Sequence, residues 1–479
     1  MSDSPNHIHL KKEILIRLAR AFASDDFEES VRLIPFDMRP KGCPVPYRCC
    51  IHRERAILRS RVIAGLGFSI ESDDERTSLN AYARAALARE RPEPEPLTIL
   101  SDACNGCPPN RIFVTDLCQG CVARPCQSVC KFGAIGMEDG RSVIDPAKCK
   151  KCKMCMSACP YHAIAQITVP CEDNCPVSAI QKDEQGLARI DFKKCIGCGK
   201  CVSACPFGAV HEKSQLVDLL SKLKKGREVV AMVAPAIVGQ FPGTIRQLRT
   251  AMLRAGFSDV AEVASGADET SRREAVEFAA RMKEGAPFMT TSCCAAYNNL
   301  AAIHLPEIRP YVSSTGTPLH YAAERVKKDH PGCTSVFISP CVAKKIEGLA
   351  DPNVDYVINF EELGALFVAL KVEILDCEES AFTVESSKQG RGFGITHGVA
   401  AAIGSLAPEA HPCYVNGITK DSVRQLRGFA LKGSCPDCNL IEVMGCEGGC
   451  VGGNATINKT KVAVKIIGEL LAQSEDLKA

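Results

Sequence analysis

Cys149-Lys150-Lys151-Cys152-Lys153-Met154-Cys155-Met156-Ser157-Ala158-Cys159-Pro160 is the stretch that decides how this chain folds. Its spacing returns in Cys195-Ile196-Gly197-Cys198-Gly199-Lys200-Cys201-Val202-Ser203-Ala204-Cys205-Pro206, so both read C-x2-C-x2-C-x3-C-P. Cysteines packed this densely lie on no single helix or strand face, and such a run curls around something that takes several thiolates. A variant run with a wider middle gap, Cys118, Cys121, Cys126 and Cys130, precedes the first copy. Half a run, Cys171 and Cys175 before Pro176, precedes the second, and the pair Cys104 and Cys107 stands ahead of all.

This spacing is that of [4Fe-4S] clusters, whose fourth cysteine crosses to the neighbouring cluster. The crossover rule groups Cys118, Cys121 and Cys126 with Cys159, and Cys149, Cys152 and Cys155 with Cys130. It groups Cys195, Cys198 and Cys201 with Cys175, which leaves Cys104, Cys107, Cys171 and Cys205 as a fourth set. One ferredoxin-like module is thus inserted in another, and the last set is expected nearest the C-terminal half because Cys205 leads into it. Zinc ribbons also use C-x2-C pairs, but they pair two knuckles across a longer gap and lack the three-cysteine run. Four clusters in one segment imply electron transfer.

The rest of the composition agrees. The chain has 479 residues and 29 cysteines, too long and too free of a secretory leader for a disulfide scaffold. Its 58 basic and 56 acidic residues give a formal charge of +2, which excludes nucleic acid and membrane surfaces as partners. Lys11, Lys12, Arg17 and Arg20 interrupt the apolar opening, so a cytoplasmic location is expected.

Leu10, Ile14, Leu18 and Phe22 fall four apart, and Leu79, Tyr82, Ala86 and Leu87 fall on one helical face, so both predict amphipathic helices. Residues 1–96 are therefore read as an N-terminal helical domain ending in a stiff linker, Arg89 to Pro96. Cys43, Cys49 and Cys50 lie between these helices, either as buried thiols or as a further ligand set. Residues 97–213 form the double ferredoxin-like domain, and residues 225–472 the C-terminal domain. There an apolar strand runs from Arg227 into the loop at Gly239, and short apolar runs such as Thr334–Ser339 alternate with helical stretches. That alternation predicts an α/β fold with a largely parallel sheet, closed by a helix over Val462–Leu471.

Three motifs stand in this last domain: Thr291-Ser292-Cys293-Cys294-Ala295-Ala296-Tyr297, Ser339-Pro340-Cys341-Val342-Ala343-Lys344-Lys345-Ile346-Glu347 and Glu442-Val443-Met444-Gly445-Cys446-Glu447-Gly448-Gly449-Cys450. Cys294, Cys341, Cys446 and Cys450 offer four thiolates from three loops, enough for one cubane, and Gly448 and Gly449 allow close backbone approach. Together the motifs resemble the signature motifs of the [FeFe]-hydrogenase, or iron-only hydrogenase, family over residues 225–470.

The resemblance implies an H-cluster. This is a cubane on those four cysteines, bridged through Cys450 to a two-iron unit bearing carbon monoxide, cyanide and a bridging dithiolate amine. It also implies that Cys293 relays protons, that Lys344 donates to a cyanide, and that Pro235 and Ala236 of the 234–236 loop, with Met444, surround the two-iron unit. Ser339 stands where many members have methionine. Glu274, Glu277 and Arg281 on one helix face, with Ser313, match the family's outward proton path; the plain alternative is a solvated charged face. Ala295, Ser339 and Glu447 depart from the commonest pattern and look like the monomeric group B branch.

The function so implied is reversible interconversion of H2 with protons and electrons, by an anaerobic enzyme exchanging electrons with ferredoxin or a similar carrier and loaded by maturation proteins. The alternative is a non-catalytic hydrogenase-like redox or H2 sensor, or an iron-sulfur assembly protein. Retention of Cys293 and Lys344 favours the enzyme. Cys435 and Cys438, a further C-x2-C, either hold another metal or pack, and Cys333, Cys377 and Cys413 have no assigned role.

Overall fold

The computed structural model describes residues 7–24, 26–43 and 48–477. Pro44 to Tyr47 of the loop holding Cys43, Cys49 and Cys50 lie outside them. Among the described residues four helices come first: α1 (His7–Phe22), α2 (Phe27–Met38), α3 (Ile51–Gly65) and α4 (Leu79–Ala88). The four-residue apolar period of α1 turns Ile14, Leu18 and Phe22 inward. Those side chains join one continuous core with the C-terminal sheet. Lys11 also reaches Glu361 at 2.7 Å and Glu212 at 3.4 Å. Arg89, at the start of the expected linker, donates to Asp218 and to the carbonyls of Leu66 and Gly67, so the segment is docked rather than free.

Eight short strands cross the cysteine-rich segment: β1 (Leu97–Ile99), β2 (Arg111–Val114), β3 (Ile135–Glu138), β4 (Arg141–Ile144), β5 (Ile164–Ile167), β6 (Ile180–Lys182), β7 (Ala188–Ile190) and β8 (Val210–Glu212). They pair antiparallel in a nested order, β1 with β8 outside and β2 with β5 inside, with hairpins β3–β4 and β6–β7. Each cysteine run also supplies a helix of one turn, α5 (Pro125–Ser128), α6 (Met154–Ala158), α7 (Pro170–Asp173) and α8 (Lys200–Ala204).

Helix α9 (Leu216–Lys224) leads into a four-stranded parallel sheet in the order β10 (Asp259–Glu262), β9 (Val229–Val233), β12 (Thr334–Ser339), β13 (Tyr356–Asn359). A second parallel sheet has the order β11 (Met289–Thr290), β15 (Leu440–Met444), β14 (Pro412–Asn416). Strand β9 is buried along its whole length, as an apolar strand covered by helices on both faces must be. The covering helices are α10 (Ile245–Arg254), α11 (Ala264–Lys283), α12 (Ala295–Ile303), α13 (Pro318–Asp329), α14 (Ala343–Ala350), α15 (Phe360–Leu370), α16 (Lys388–Gly392), α17 (Gly398–Leu406), α18 (Lys420–Lys432) and α19 (Thr460–Gln473). Capping boxes at Thr244, Asn359 and Thr419 start α10, α15 and α18. Gly266 lets α11 cross α13 closely, since a Cβ there would lie 2.1 Å from the Pro318 carbonyl oxygen. Among the described residues no helix is long and apolar enough to cross a membrane.

Candidate active site and its cysteine-rich approach

The three C-terminal motifs leave the carboxyl ends of three parallel strands. Cys293 and Cys294 follow β11, Cys341 follows β12, and Cys446 and Cys450 follow β15. Open parallel sheets place ligands at those ends, where strand-to-loop turns and helix N-termini converge. Cys294 caps α12, and Cys341 lies just before α14, where the Lys344 N–H reaches its sulfur. Gly448 and Gly449 have φ of 84° and 90°, and a Cβ on Gly449 would meet the 395–396 backbone at 2.7 Å.

All four cysteines line one cavity of about 860 Å³, together with Cys293, Lys344, Met444, Ala234 and Pro235. Two expected neighbours stay off its wall. Ser339 is buried beneath, where its hydroxyl accepts from the Cys341 N–H at 3.2 Å and shapes that loop. Ala236 is fully buried behind Gly394. Conversely Phe393, Gly394 and Leu319 line the cavity without any sequence signal, because distant helices deliver them.

Burial first, then the neighbouring thiols, pushes Cys341 up to about 11, Cys450 up to about 12 and Cys446 well above the ordinary thiol range. Four crowded thiols in an apolar cavity ionise only against compensating cationic charge, which is what an iron cluster supplies. The donor set therefore fits a cubane. The cavity is also more than twice the size of those formed by the ferredoxin-like cysteines, at about 320, 330 and 340 Å³.

Those smaller cavities gather cysteines distant in sequence. Cys118, Cys121, Cys126 and Cys159 line one; Cys130, Cys149, Cys152 and Cys155 another; Cys175, Cys195, Cys198 and Cys201 a third. Cys171 lies close enough to Cys205 and Cys107 for their charges to add to burial in raising it to about 11, and Cys107 feels Cys104. Each terminal cysteine also repeats one contact. The N–H of Ala134, Ala163, Ala179 or Ala209 donates to the sulfur four residues earlier, at 3.2–3.4 Å. Such N–H donors stabilise a thiolate ligand.

One placement is corrected. Cys198, not a member of the Cys104, Cys107, Cys171 and Cys205 set, lines the large cavity, and its charge reaches Cys446. Chain continuity suggested Cys205, but the 195–201 loop is what docks on the C-terminal half. Asn299 donates to the Ile196 carbonyl at 3.3 Å, and Lys200 to that of Ile418. Gly197 and Gly199, with φ of 71° and 73°, sit against Ile346 and Asn454 where a Cβ would collide.

A polar cluster lies beside Ser292 and Cys293. Burial pushes fully buried Glu274 up to about 7, despite the N–H and hydroxyl of Ser292 donating to its Oε1 at 3.0 and 2.9 Å. Its Oε2 is buried without a hydrogen-bond partner among the described residues. Burial also opposes the charge on Glu277, but the Ser314 N–H and the hydroxyls of Ser313, Thr315 and Ser314 outweigh it and hold Glu277 at about 2. Arg281 pairs with Glu277 at 2.6 Å, and Ser313 donates to it at 2.7 Å. Cys293 is raised well above the usual thiol range by burial first and then by Glu274; the little exposure it keeps faces the cavity. Lys344 donates to Glu347 at 2.5 Å and to the Cys293 carbonyl at 3.3 Å, so Glu347, named in the motif without a role, orients it. Asn454 accepts from the Val342 N–H at 3.2 Å and steadies the Cys341 loop.

Outside both regions, Cys50 caps α3, and Cys333 and Cys377 are buried structural thiols.

Residues 227–454 match the iron only hydrogenase large subunit, C-terminal domain. Residues 142–165 match a 4Fe-4S binding domain, and residues 166–216 the LdpA Fe-S cluster-binding domain. The chain is 28% identical to the periplasmic [Fe] hydrogenase large subunit of Nitratidesulfovibrio vulgaris, over 50% of this chain and 72% of that one. It is 28% identical to iron hydrogenase 1 of Clostridium pasteurianum, over 43% of this chain and 44% of that one, so it spans under half of that relative. A solved variant of an [FeFe]-hydrogenase from Chlamydomonas reinhardtii superimposes with a TM-score of 0.46 at 22% identity, over 55% of this chain and 90% of that one.

Proposed function

Because residues 227–454 belong to the iron-only hydrogenase family, we propose that the chain reversibly interconverts H2 with protons and electrons. The observation that carries this reading is the single cavity of about 860 Å³ in which three strand ends bring together Cys294, Cys341, Cys446 and Cys450, with Cys293 and Lys344 on its wall. In this reading Cys294, Cys341, Cys446 and Cys450 would hold a cubane, and a two-iron unit would lie beside Cys450. When bound, that H-cluster, with its carbon monoxide, cyanide and bridging dithiolate amine, supplies the electron storage and the centre at which H2 is made or split.

The protein's own residues divide the traffic. Lys344, steadied by Glu347, presents an ammonium to anionic ligands inside the cavity. Cys293 holds its proton at the cavity wall, where burial keeps the thiol neutral. Glu274, with a pKa of about 7, exchanges that proton near neutral pH, the range in which a relay works in both directions. Ser313, Glu277 and Arg281 continue the path outward.

On the other side the four [4Fe-4S] sets conduct electrons, with the Cys198 set last before the cavity. The inserted module exposes Lys148, Lys150, Lys151 and Lys153 beside Cys149 and Cys152, a basic rim suited to an acidic carrier such as ferredoxin. Residues 1–96, 97–213 and 225–472 then serve as brace, wire and catalytic domain.

Infrared spectroscopy on chain loaded by the complete maturation machinery tests the reading. Bands of metal-bound carbon monoxide and cyanide are expected. Their absence, with iron present in the cubane sites, leaves the non-catalytic sensor or assembly role in its place.

A further inference from the structure

Cys413, Cys435 and Cys438 belong to neither the cysteine-rich segment nor the catalytic motifs. Cys413 lies near the start of β14, and the other two in the loop that links α18 to β15. The fold brings their sulfurs together, with Cys413 and Cys435 at 3.6 Å and Cys435 and Cys438 at 2.6 Å. Among the described residues they are the one trio of His, Cys, Asp or Glu whose ligand atoms all lie within 4.8 Å of one another.

We propose that these three cysteines hold a single zinc ion, with solvent in the fourth position. Two observations carry this assignment, and neither depends on the proposed function.

The first is the spacing. Zinc with sulfur at about 2.3 Å and tetrahedral angles sets its thiolates about 3.8 Å apart. The 3.6 Å pair already stands at that separation, and the 2.6 Å pair reaches it by opening about 1 Å. None of the sets around the ferredoxin-like cavities, nor the catalytic four, contains a trio this close. The molecule thus has two kinds of thiol cluster, wide ones for cubanes and one narrow one for a mononuclear ion.

The second is the loop backbone. In Cys104-x2-Cys107, Cys118-x2-Cys121, Cys149-x2-Cys152 and Cys195-x2-Cys198, the residue before the second cysteine is left-handed: Gly106, Gly120, Lys151 and Gly197 have φ of 53°, 59°, 56° and 71°. Asp437, before Cys438, has φ of 62°. An aspartate tolerates this conformation less well than glycine, so the loop adopts a ligand-knuckle backbone at some conformational cost. A disulfide between Cys435 and Cys438 is the rival, but it leaves unexplained why Cys413 is brought against the same pair.

The ion's place in the fold gives it a structural role. Cys413 pairs with Ile441, and three residues along the same ladder Asn416 pairs with Met444, about 10 Å nearer the catalytic cavity. The N–H of His411 donates to the Asn439 side chain at 2.6 Å, and the N–H of Asn439 to the His411 carbonyl at 3.0 Å. Zinc would rivet this junction, at the far end of the strand that delivers Met444 and Cys446.

The test is metal analysis of the full chain, purified without oxygen and with its iron-sulfur clusters in place. About one zinc per chain is expected beyond the iron, with extended X-ray absorption fine structure at the zinc edge fitted by three sulfurs at about 2.3 Å and one lighter atom. Cys438→Ser, or Cys413→Ser should the first variant fail to fold, should lose the zinc while keeping the iron content and the visible absorption of the clusters. Wild-type chain without zinc overturns the assignment, as does extra iron in its place. Mass spectrometry showing Cys435 linked to Cys438 in that anaerobic sample overturns it too.

Discussion

The inserted ferredoxin-like module and the shell around the large cavity use one ligand chemistry in opposite surroundings. Strands β2 to β5 enclose a small core of their own, Ile112, Cys126, Ile135, Cys155 and Ile164. Around them Val122, Leu117, Met154 and Tyr161 are exposed, at 97%, 61%, 53% and 51%. The second module instead shares the core that runs from the N-terminal helices to the catalytic sheet, and one of its knuckles closes the cavity wall. Cluster potentials follow solvent exposure and hydrogen bonding to sulfur. The alanine N–H bond is repeated in all four sets, while Gly197 adds an N–H to Cys195 and Ser142 a hydroxyl contact to Cys126, so exposure and these further bonds together distinguish the sets. On the proposed function, the wire would run from a wet, basic end to a dry, enclosed one.

The buried end should respond most. Glu274→Gln removes the titrating group while keeping its shape, and turnover should fall by about 10²–10⁴-fold with iron content unchanged. Stability should move the other way. The folded pKa of about 7 lies above the ordinary carboxylate value of 4.5, so the folded state binds the extra proton between those pH values. Stability attributable to Glu274 is therefore complete below pH 4.5 and is lost as pH rises through 7, by about 3 kcal/mol. At pH 8 the Gln variant should melt higher than the parent, and at pH 4 it should not. A variant that is inactive and also less stable at pH 8 would show that Glu274 is structural.

A paired substitution tests whether the two regions are separate cooperative units. Ile112 on β2 and Ile99 on β1 are 4% and 5% exposed, so truncation of either to alanine should cost about 2–4 kcal/mol. Hydrogen exchange should show Ile112→Ala loosening only residues near the inserted module, whereas Ile99→Ala should be felt in α1–α4 and the catalytic sheet. Equal spread from both sites would break the contrast.

The smallest effect belongs to the exposed end. Lys150→Glu with Lys151→Glu should raise KM for an acidic protein carrier a few-fold at low ionic strength, and the difference should fade as salt is added. Assays with a small uncharged dye should not change.

What the sequence determined was local. Ligand spacings, the amphipathic period of α1, the apolar run of β9 and the closing helix α19 are set by covalent neighbours, and one chain suffices to read them. Which cysteines line the same small cavity was also legible for three sets, because a C-x2-C-x2-C-x3-C run passes its last thiol to its neighbour. Tertiary packing decided the rest. Which set meets the cavity depends on how the 195–201 loop docks against α12 and α14, not on which cysteine comes last in the segment. Ser339 and Ala236 leave the wall because their strand and loop turn them into the core. Burial of its face of α11 raises the Glu274 carboxyl to about 7, a fact its charged neighbours concealed. Cys413 joins Cys435 and Cys438 because β14 lies beside β15, and strand pairing across more than twenty residues leaves no mark in local sequence.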